Sequence, residues 1–205
     1  MSLQAFFEDA AKAAVKRTIE SVEKQTSAEL VVTVRRQAGL SYGAADLAFA
    51  AVVALVALAV VLFVDREFDT QWIPLDVAAV FLLAMLVCRT TLSLRRLLVG
   101  NVRRSAETKR AAGEAFHELG VGRTSGRSGI LVLVALFERK AALVTDVGVD
   151  RKLLEPTIAK LDAAIAGVDR DAFLAALETI GPALAEAMPC RPDDVNELSD
   201  EVGVG

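Results

Sequence analysis

Apolar and polar positions alternate with three different rhythms along this 205-residue chain. Near the start, Phe7, Ala11, Ala14, Val15, Ile19 and Val22 recur at helical spacing with charges between them, which predicts an amphipathic helix. Thr26 and Ser27 end it. The stretch AELVVTVRR (28–36) then alternates Leu30, Val32 and Val34 with Val31, Thr33 and Arg35, which predicts a strand. From Leu47 to Val64 the alternation stops: LAFAAVVALVALAVVLFV holds 18 residues and no polar one. That length favours a bilayer-spanning helix over a buried core helix. With Ala44, Ala45 and Asp46 added, the expected span is 44–64.

A second apolar run, VAAVFLLAMLVC (Val77–Cys88), is shorter, at 12 residues. Its flanks lengthen it. Pro74 suits a first helical turn, Asp76 suits the positive end of the helix dipole as an interfacial cap, and Trp72 suits the membrane surface. Arg89 can snorkel while Thr90 to Leu94 complete the span, so the second helix is expected over 73–94. Arg35 and Arg36 precede the pair, and Arg89, Arg95, Arg96, Arg103 and Arg104 follow it, whereas Arg66 stands alone between acids in the connecting stretch. The positive-inside rule therefore puts both flanks in the cytoplasm and the short loop outside.

Beyond the hairpin the helical rhythm returns and runs to about Leu119. Drawn as one continuous helix, it gathers Arg95, Arg96, Arg103, Lys109 and Arg110 on one arc and Leu97, Leu98, Ala112, Ala115, Phe116 and Leu119 on another; a break at Gly100 and Asn101 is the alternative, and it would spoil this registry. The basic arc reads either as a solvated face or as a surface for anionic lipid headgroups, with Arg95, Arg96, Arg103 and Arg110 as the contacts. The loop GVGRTSGRSG (120–129) follows, then the wholly apolar strand ILVLVALF, expected where both faces are covered. Glu138, Arg139 and Lys140 make a polar turn into a returning strand, AALVTD. Asp150 is expected to cap a helix from Arg151 to Ala166 that Gly167 ends. Asp169 or Asp171 opens a last helix whose inner face holds Phe173, Leu177, Ile180 and Leu184, and Pro182 kinks it or ends it early.

This order predicts an α/β fold: a small mixed β-sheet with helices on both faces, an α/β/α sandwich, interrupted by a two-helix transmembrane hairpin. Residues 1–36 and 101–188 form the two parts of the sandwich, 37–100 the insertion, and 189–205 an acidic, loosely ordered tail. An even number of spans returns the chain to the side it left, so the two parts can share one sheet.

Composition adds limits. Hydrophobic residues make up 54% and charged residues 24%, with a net charge of −4, so general nucleic-acid affinity is excluded. Cys88 and Cys190 have no metal-type spacing. The opening MSLQAFFEDAAKAAVKRTIESVEK lacks the continuous apolar core of a signal peptide. In the glycine-rich loop, Arg123 and Arg127 are candidate anion-binding residues. A P-loop is excluded, because here a helix leads into a strand and no Gly-Lys-Ser/Thr ending occurs. Asp146 and Asp150 are candidate catalytic or metal-binding carboxylates for a hard cation such as Ca²⁺ or Mg²⁺; Glu138, at the other end of the hairpin, is not. The lone His117, on the polar side of its helix, completes no Ser-His-Asp or Cys-His set.

EKQTSAELVVTV (23–34), AFHELGVGRTSGRSGILVLVALFERKAALVTDVGVD (115–150) and the closing helix with RPDDVNELSDEV together resemble the TPM-domain family. That family takes its name from a thylakoid-lumen phosphatase, a photosystem II repair protein and a receptor auxiliary protein. The resemblance covers nearly all of the chain outside 37–100 and implies an α/β/α sandwich around a small mixed sheet. The internal anchor is similar to a membrane-inserted bacterial subgroup. Two expectations follow. One is a bacterial inner-membrane protein whose cytoplasmic TPM-type domain serves as a non-enzymatic interaction or auxiliary module, touching lipid headgroups and a membrane or cytoplasmic protein. The other is a membrane-anchored phosphatase acting on a phosphate ester with a divalent cation.

Overall fold

The computed structural model describes residues 9–39, 42–64, 69–190, 196–198 and 202–204. Phe7 and the centre of the hairpin loop, Arg66 included, lie outside the described residues. The chain divides into two compact units: residues 1–38 with 104–205, and residues 39–103.

The first unit is the sandwich. Helix α1 (Asp9–Glu23) leads to strand β1 (Glu29–Arg35), and after the insertion come β2 (Gly129–Ala135) and β3 (Lys140–Thr145). β1 and β2 run parallel, with Glu29 opposite Gly129 and Arg35 opposite Ala135, while β3 returns antiparallel to β2. Every residue of β2 is buried, the property that its unbroken apolar sequence predicts for a central strand. Leu30, Val32, Val34, Ile130, Val132 and Val134 face one core with Val15, Ile19 and Val22 of α1. Helices α6 (Glu155–Gly167), α7 (Arg170–Glu178) and α8 (Ile180–Leu184) close that same core. Val31, Leu131 and Leu133 face the second core, against Ala111, Ala112, Ala115 and Phe116 of α5 (Asn101–Glu118). The period-two alternation thus becomes two cores, one on each face. The expected small mixed sheet with helices on both faces is what forms.

Several boundaries differ from the expectation, each for a local reason. Asp150 caps a 3₁₀ turn, Arg151–Leu154, accepting from the Lys152 N–H at 3.0 Å, and α6 begins only at Glu155. Proline at 156 suits that first turn, because its missing N–H has no partner there anyway. α6 does end at Gly167, but Val168 takes the left-handed cap conformation. Asp169, not Asp171, opens α7, accepting from the Ala172 N–H. The last helix breaks at Thr179, three residues before Pro182, so Pro182 falls in the first turn of α8, where no donor is missed.

Most of the C-terminal tail lies outside the described residues, but near its end the chain joins the sheet. Residues Gly203–Val204 form β4, pairing in parallel with Thr33 and Val34 and giving the sheet order β3-β2-β1-β4. Glu138 falls in the turn where it was expected, but not at the surface. It is fully buried in the β2–β3 turn: its carboxylate accepts the Ala38 N–H at 3.0 Å and its carbonyl accepts from Arg104 Nη1 at 2.8 Å. It therefore holds the two points at which the chain leaves and re-enters the sandwich.

The second unit holds α2 (Gly43–Phe63) and α3 (Ile73–Thr90), each long and apolar enough to cross a bilayer. They pack on each other through small residues four apart, Ala50 and Ala54 on α2, Ala84 and Cys88 on α3, which lets the backbones approach closely. The second apolar helix stops at Thr90 instead of reaching Leu94. Thr91 leaves helical geometry, α4 (Leu92–Val99) follows, and Gly100 at φ +72° separates it from α5. The stretch drawn as one helix from the end of the hairpin to Leu119 is therefore two pieces, α4 and α5, and the single arc of arginines drawn on it does not form.

Candidate functional site

The glycine-rich loop is built as a turn with internal supports. α5 stops where Gly120 adopts φ +66°, and a 3₁₀ turn, Val121–Arg123, follows. The buried Thr124 accepts the Ser128 N–H on its hydroxyl at 2.9 Å, and the Arg127 carbonyl accepts the Gly148 N–H at 3.0 Å. Two glycines are required by close approach. A Cβ on Gly129 would lie 2.1 Å from the Val121 carbonyl oxygen, and one on Gly148 2.6 Å from that of Arg127. The loop thus holds its side chains in place, with Arg127 itself in the left-handed region at φ +51°.

These supports shape a surface cleft of about 410 Å³ lined by Phe116, His117, Gly122, Arg123, Arg127 and Asp146. Asp146 stands at the end of β3 with its side chain 4% exposed. Its Oδ2 lies 3.0 Å from Arg127 Nε, and its Oδ1 accepts the Val147 N–H at 2.7 Å. One arginine is thus neutralised by a carboxylate, while Arg123 projects into solvent at the rim. His117 meets Phe116 edge-on, with ring centroids 5.9 Å apart. The cleft is cationic on balance, suited to holding an anion by charge-assisted hydrogen bonds.

The structure therefore brings together three of the four residues singled out in this region, Arg123, Arg127 and Asp146. Asp150 does not join them, since its carboxylate is spent on the cap over Lys152. Among the described residues no three His, Cys, Asp or Glu side chains converge as a metal site. The oxygen-rich shell that Ca²⁺ or Mg²⁺ takes is not assembled by the described side chains.

The hairpin unit carries a polar cluster that sequence reading passed over. Asp46, in the first turn of α2, is 1% exposed. Arg95 Nε lies 3.0 Å from its Oδ1, Arg89 Nε 3.9 Å from its Oδ2, and the Cys88 thiol donates to Oδ1 at 3.4 Å. Beside it the fully buried Tyr42 ring has the guanidinium of Arg95 5.9 Å and that of Arg103 5.7 Å from its centroid, a cation–π distance. Of the candidate headgroup residues, Arg95 is thus engaged inside the protein, while Arg103 is exposed with its guanidinium beside the Tyr42 ring. Arg96 is half-buried on α4, and Arg110 pairs with Glu107 at 3.2 Å and Glu114 at 3.5 Å. The available signal was Asp46 itself, an acid at the head of an 18-residue apolar run, with arginines where the second run ends.

No protein-family model and no curated protein matches the chain. Among solved structures, the NMR structure of the BA42 protein from the psychrophilic bacterium Bizionia argentinensis is similar in fold. It superposes with a TM-score of 0.58 at 17% identity, over 98% of this chain and 96% of that one.

Proposed function

We propose that the chain is an integral protein of a bacterial inner membrane. Its two apolar helices anchor a TPM-type sandwich that faces the cytoplasm and acts as a non-enzymatic interaction or auxiliary module. The observation that carries this reading is where the apolar side chains of α2 and α3 point. Only 17% of the most apolar stretch of α2 and 11% of that of α3 is buried, whereas a core helix of a water-soluble domain buries most of its length. Twelve large apolar side chains on the two helices are exposed, seven on α2 from Leu47 to Phe63 and five on α3 from Leu75 to Val87. At roughly 1 kcal/mol for each half-exposed side chain, lipid is favoured over water by on the order of 10 kcal/mol.

Anionic headgroups and a membrane or cytoplasmic protein are the partners this arrangement suits. A specific observation favours a second reading. The cleft unites Asp146 with Arg123 and Arg127, the set that a membrane-anchored, divalent-cation-dependent phosphatase would use to grip a phosphate ester. Two measurements separate the readings. Membranes washed in alkaline carbonate should retain the chain. Detergent-purified protein given p-nitrophenyl phosphate with Ca²⁺ or Mg²⁺ should turn over no faster than its Asp146→Asn variant. Metal-dependent turnover that Asp146→Asn abolishes would establish the phosphatase and end the non-enzymatic reading.

A further inference from the structure

We infer that the end of the hairpin where α2 begins and α3 stops binds one anionic phospholipid, its acyl chain in the groove between α2 and α4 and its phosphate on Arg103. The groove follows from residue size. Ala45, Ala48, Phe49 and Val52 share one face of α2 at helical spacing. The two alanines leave an indentation, which Leu98 of α4 walls on its far side, and together they enclose about 250 Å³. Because Thr91 leaves helical geometry, α4 is a separate helix that packs on both α2 and α3 and so supplies that wall. In the orientation proposed above, this end of the span lies in the cytoplasmic leaflet.

Charge says which lipid the groove takes. Asp46, next to Ala45, has Arg95 at 3.0 Å, so its charge is already met. Arg103 is exposed and forms no ion pair among the described residues. Its guanidinium stands 5.7 Å from the centroid of the Tyr42 ring, and the Tyr42 carbonyl accepts the Ala45 N–H at 3.0 Å. The cation is thus held at the head of the groove. Arg89, exposed and 3.9 Å from Asp46, adds positive charge at the same end. The apolar residues agree: Leu97, Leu98 and Val102 stay exposed just beyond the spanning helices. A short segment that mixes exposed apolar side chains with arginines suits the boundary between headgroups and acyl chains. An anionic phospholipid supplies both halves of what this surface offers, an apolar tail and a phosphate for charge-assisted hydrogen bonds. A second copy of the chain docked through the same face would set arginine against arginine.

This inference rests on the membrane reading, and its test tells the two apart. The full chain with Trp72→Phe is reconstituted in vesicles and given a single tryptophan. Phe49→Trp places it in the groove, and Leu83→Trp places it on the exposed surface of α3. Quenching is titrated with dibrominated phosphatidylglycerol in plain phosphatidylcholine, and then with the bromines on the phosphatidylcholine. At the groove, phosphatidylglycerol should be preferred about fivefold, the value of one arginine near the surface. At Leu83→Trp the two lipids should quench alike. Arg103→Gln, a change at an exposed position, should abolish the preference at the groove. Equal affinity for both lipids at both positions means boundary lipid only and overturns the inference, as does a preference that survives Arg103→Gln. A groove tryptophan that neither lipid quenches, beside a quenched Leu83→Trp, means that protein covers the groove and overturns it as well. If neither tryptophan is quenched, the membrane reading itself fails.

Discussion

Asp46 offers the sharpest energetic test of the hairpin unit. Its carboxylate is 1% exposed and lies 3.0 Å from Arg95, whose side chain is 17% exposed. Removing one member of so enclosed a pair leaves the other charge buried without its counterion, which costs about 3–5 kcal/mol. Because Arg95 keeps some access to solvent and Asp46 has a second cation in Arg89 at 3.9 Å, the low end applies. Asp46→Leu should therefore destabilise this end of the hairpin by about 3 kcal/mol, roughly a hundredfold in its opening equilibrium. Cys88 is a built-in reporter, fully buried against Asp46 in the folded unit. In a Cys190→Ser background its maleimide labelling rate reads the opening, each rate being divided by that of the same variant unfolded in dodecyl sulfate. That division removes any difference in intrinsic thiol reactivity between the unfolded variants. The double variant Asp46→Leu with Arg95→Met should bring the rate back to within a few-fold of the parent, since an apolar pair replaces the ionic one at little cost. A rate for Asp46→Leu within threefold of the parent would refute the reasoning.

Other outcomes follow from the sandwich. Gly129→Ala should destabilise it by at least about 2 kcal/mol in thermal or urea unfolding, because the new Cβ meets the Val121 carbonyl, a backbone atom that cannot move alone. Glu138→Ala should cost about 2 kcal/mol, as the buried Ala38 N–H loses its acceptor, and proteolysis should quicken at residues near Ala38 and Arg104. The tail contact should depend on pH in a fixed direction. The Ser125 hydroxyl, and then its N–H, hold the Glu197 carboxyl below the ordinary glutamate range. With the folded pKa depressed, the contact is fully present above that range and is lost as pH falls through the lowered value. Glu29, which accepts from Leu198, is the other acid facing this segment. Amide exchange at Ser125 should therefore stay slow from neutral pH down to the ordinary glutamate range and quicken, relative to intrinsic exchange, only below it.

The fold was largely legible because its signals are periodic. Alternation in 28–36 and the unbroken run 130–137 announced central strands, and the acid at 169 marked a helix start, and that at 150 a 3₁₀ turn, through caps that need only their own neighbours. What escaped depends on contacts far apart in sequence. Glu138 reads only as part of a polar turn until Ala38 and Arg104 are placed beside it, 100 and 34 residues away. Asp46 reads as the first turn of a span until Arg95 is brought to it, 49 residues on. The tail is acidic and glycine-containing, a composition that argues against order, yet β1 supplies the ladder that its own sequence does not encode. The arginine arc failed for a local reason, because a left-handed Gly100 resets the helical phase. In the cleft, the arginine and aspartate candidates were visible as residue types, but only the return of β3 to the loop joined Asp146 to Arg127 and left Asp150 outside.

The central claim is that α2 and α3 cross the membrane and return the chain to the compartment it left. Single cysteines at Thr70, between the two helices, and at Gly126, on the exposed loop of the sandwich, test it in a Cys88→Ala, Cys190→Ser background. With an impermeant maleimide applied to spheroplasts, Thr70→Cys should label at once and Gly126→Cys only after lysis. Labelling of Gly126→Cys alone before lysis would invert the orientation, and equal labelling of both before lysis would contradict a membrane-crossing hairpin.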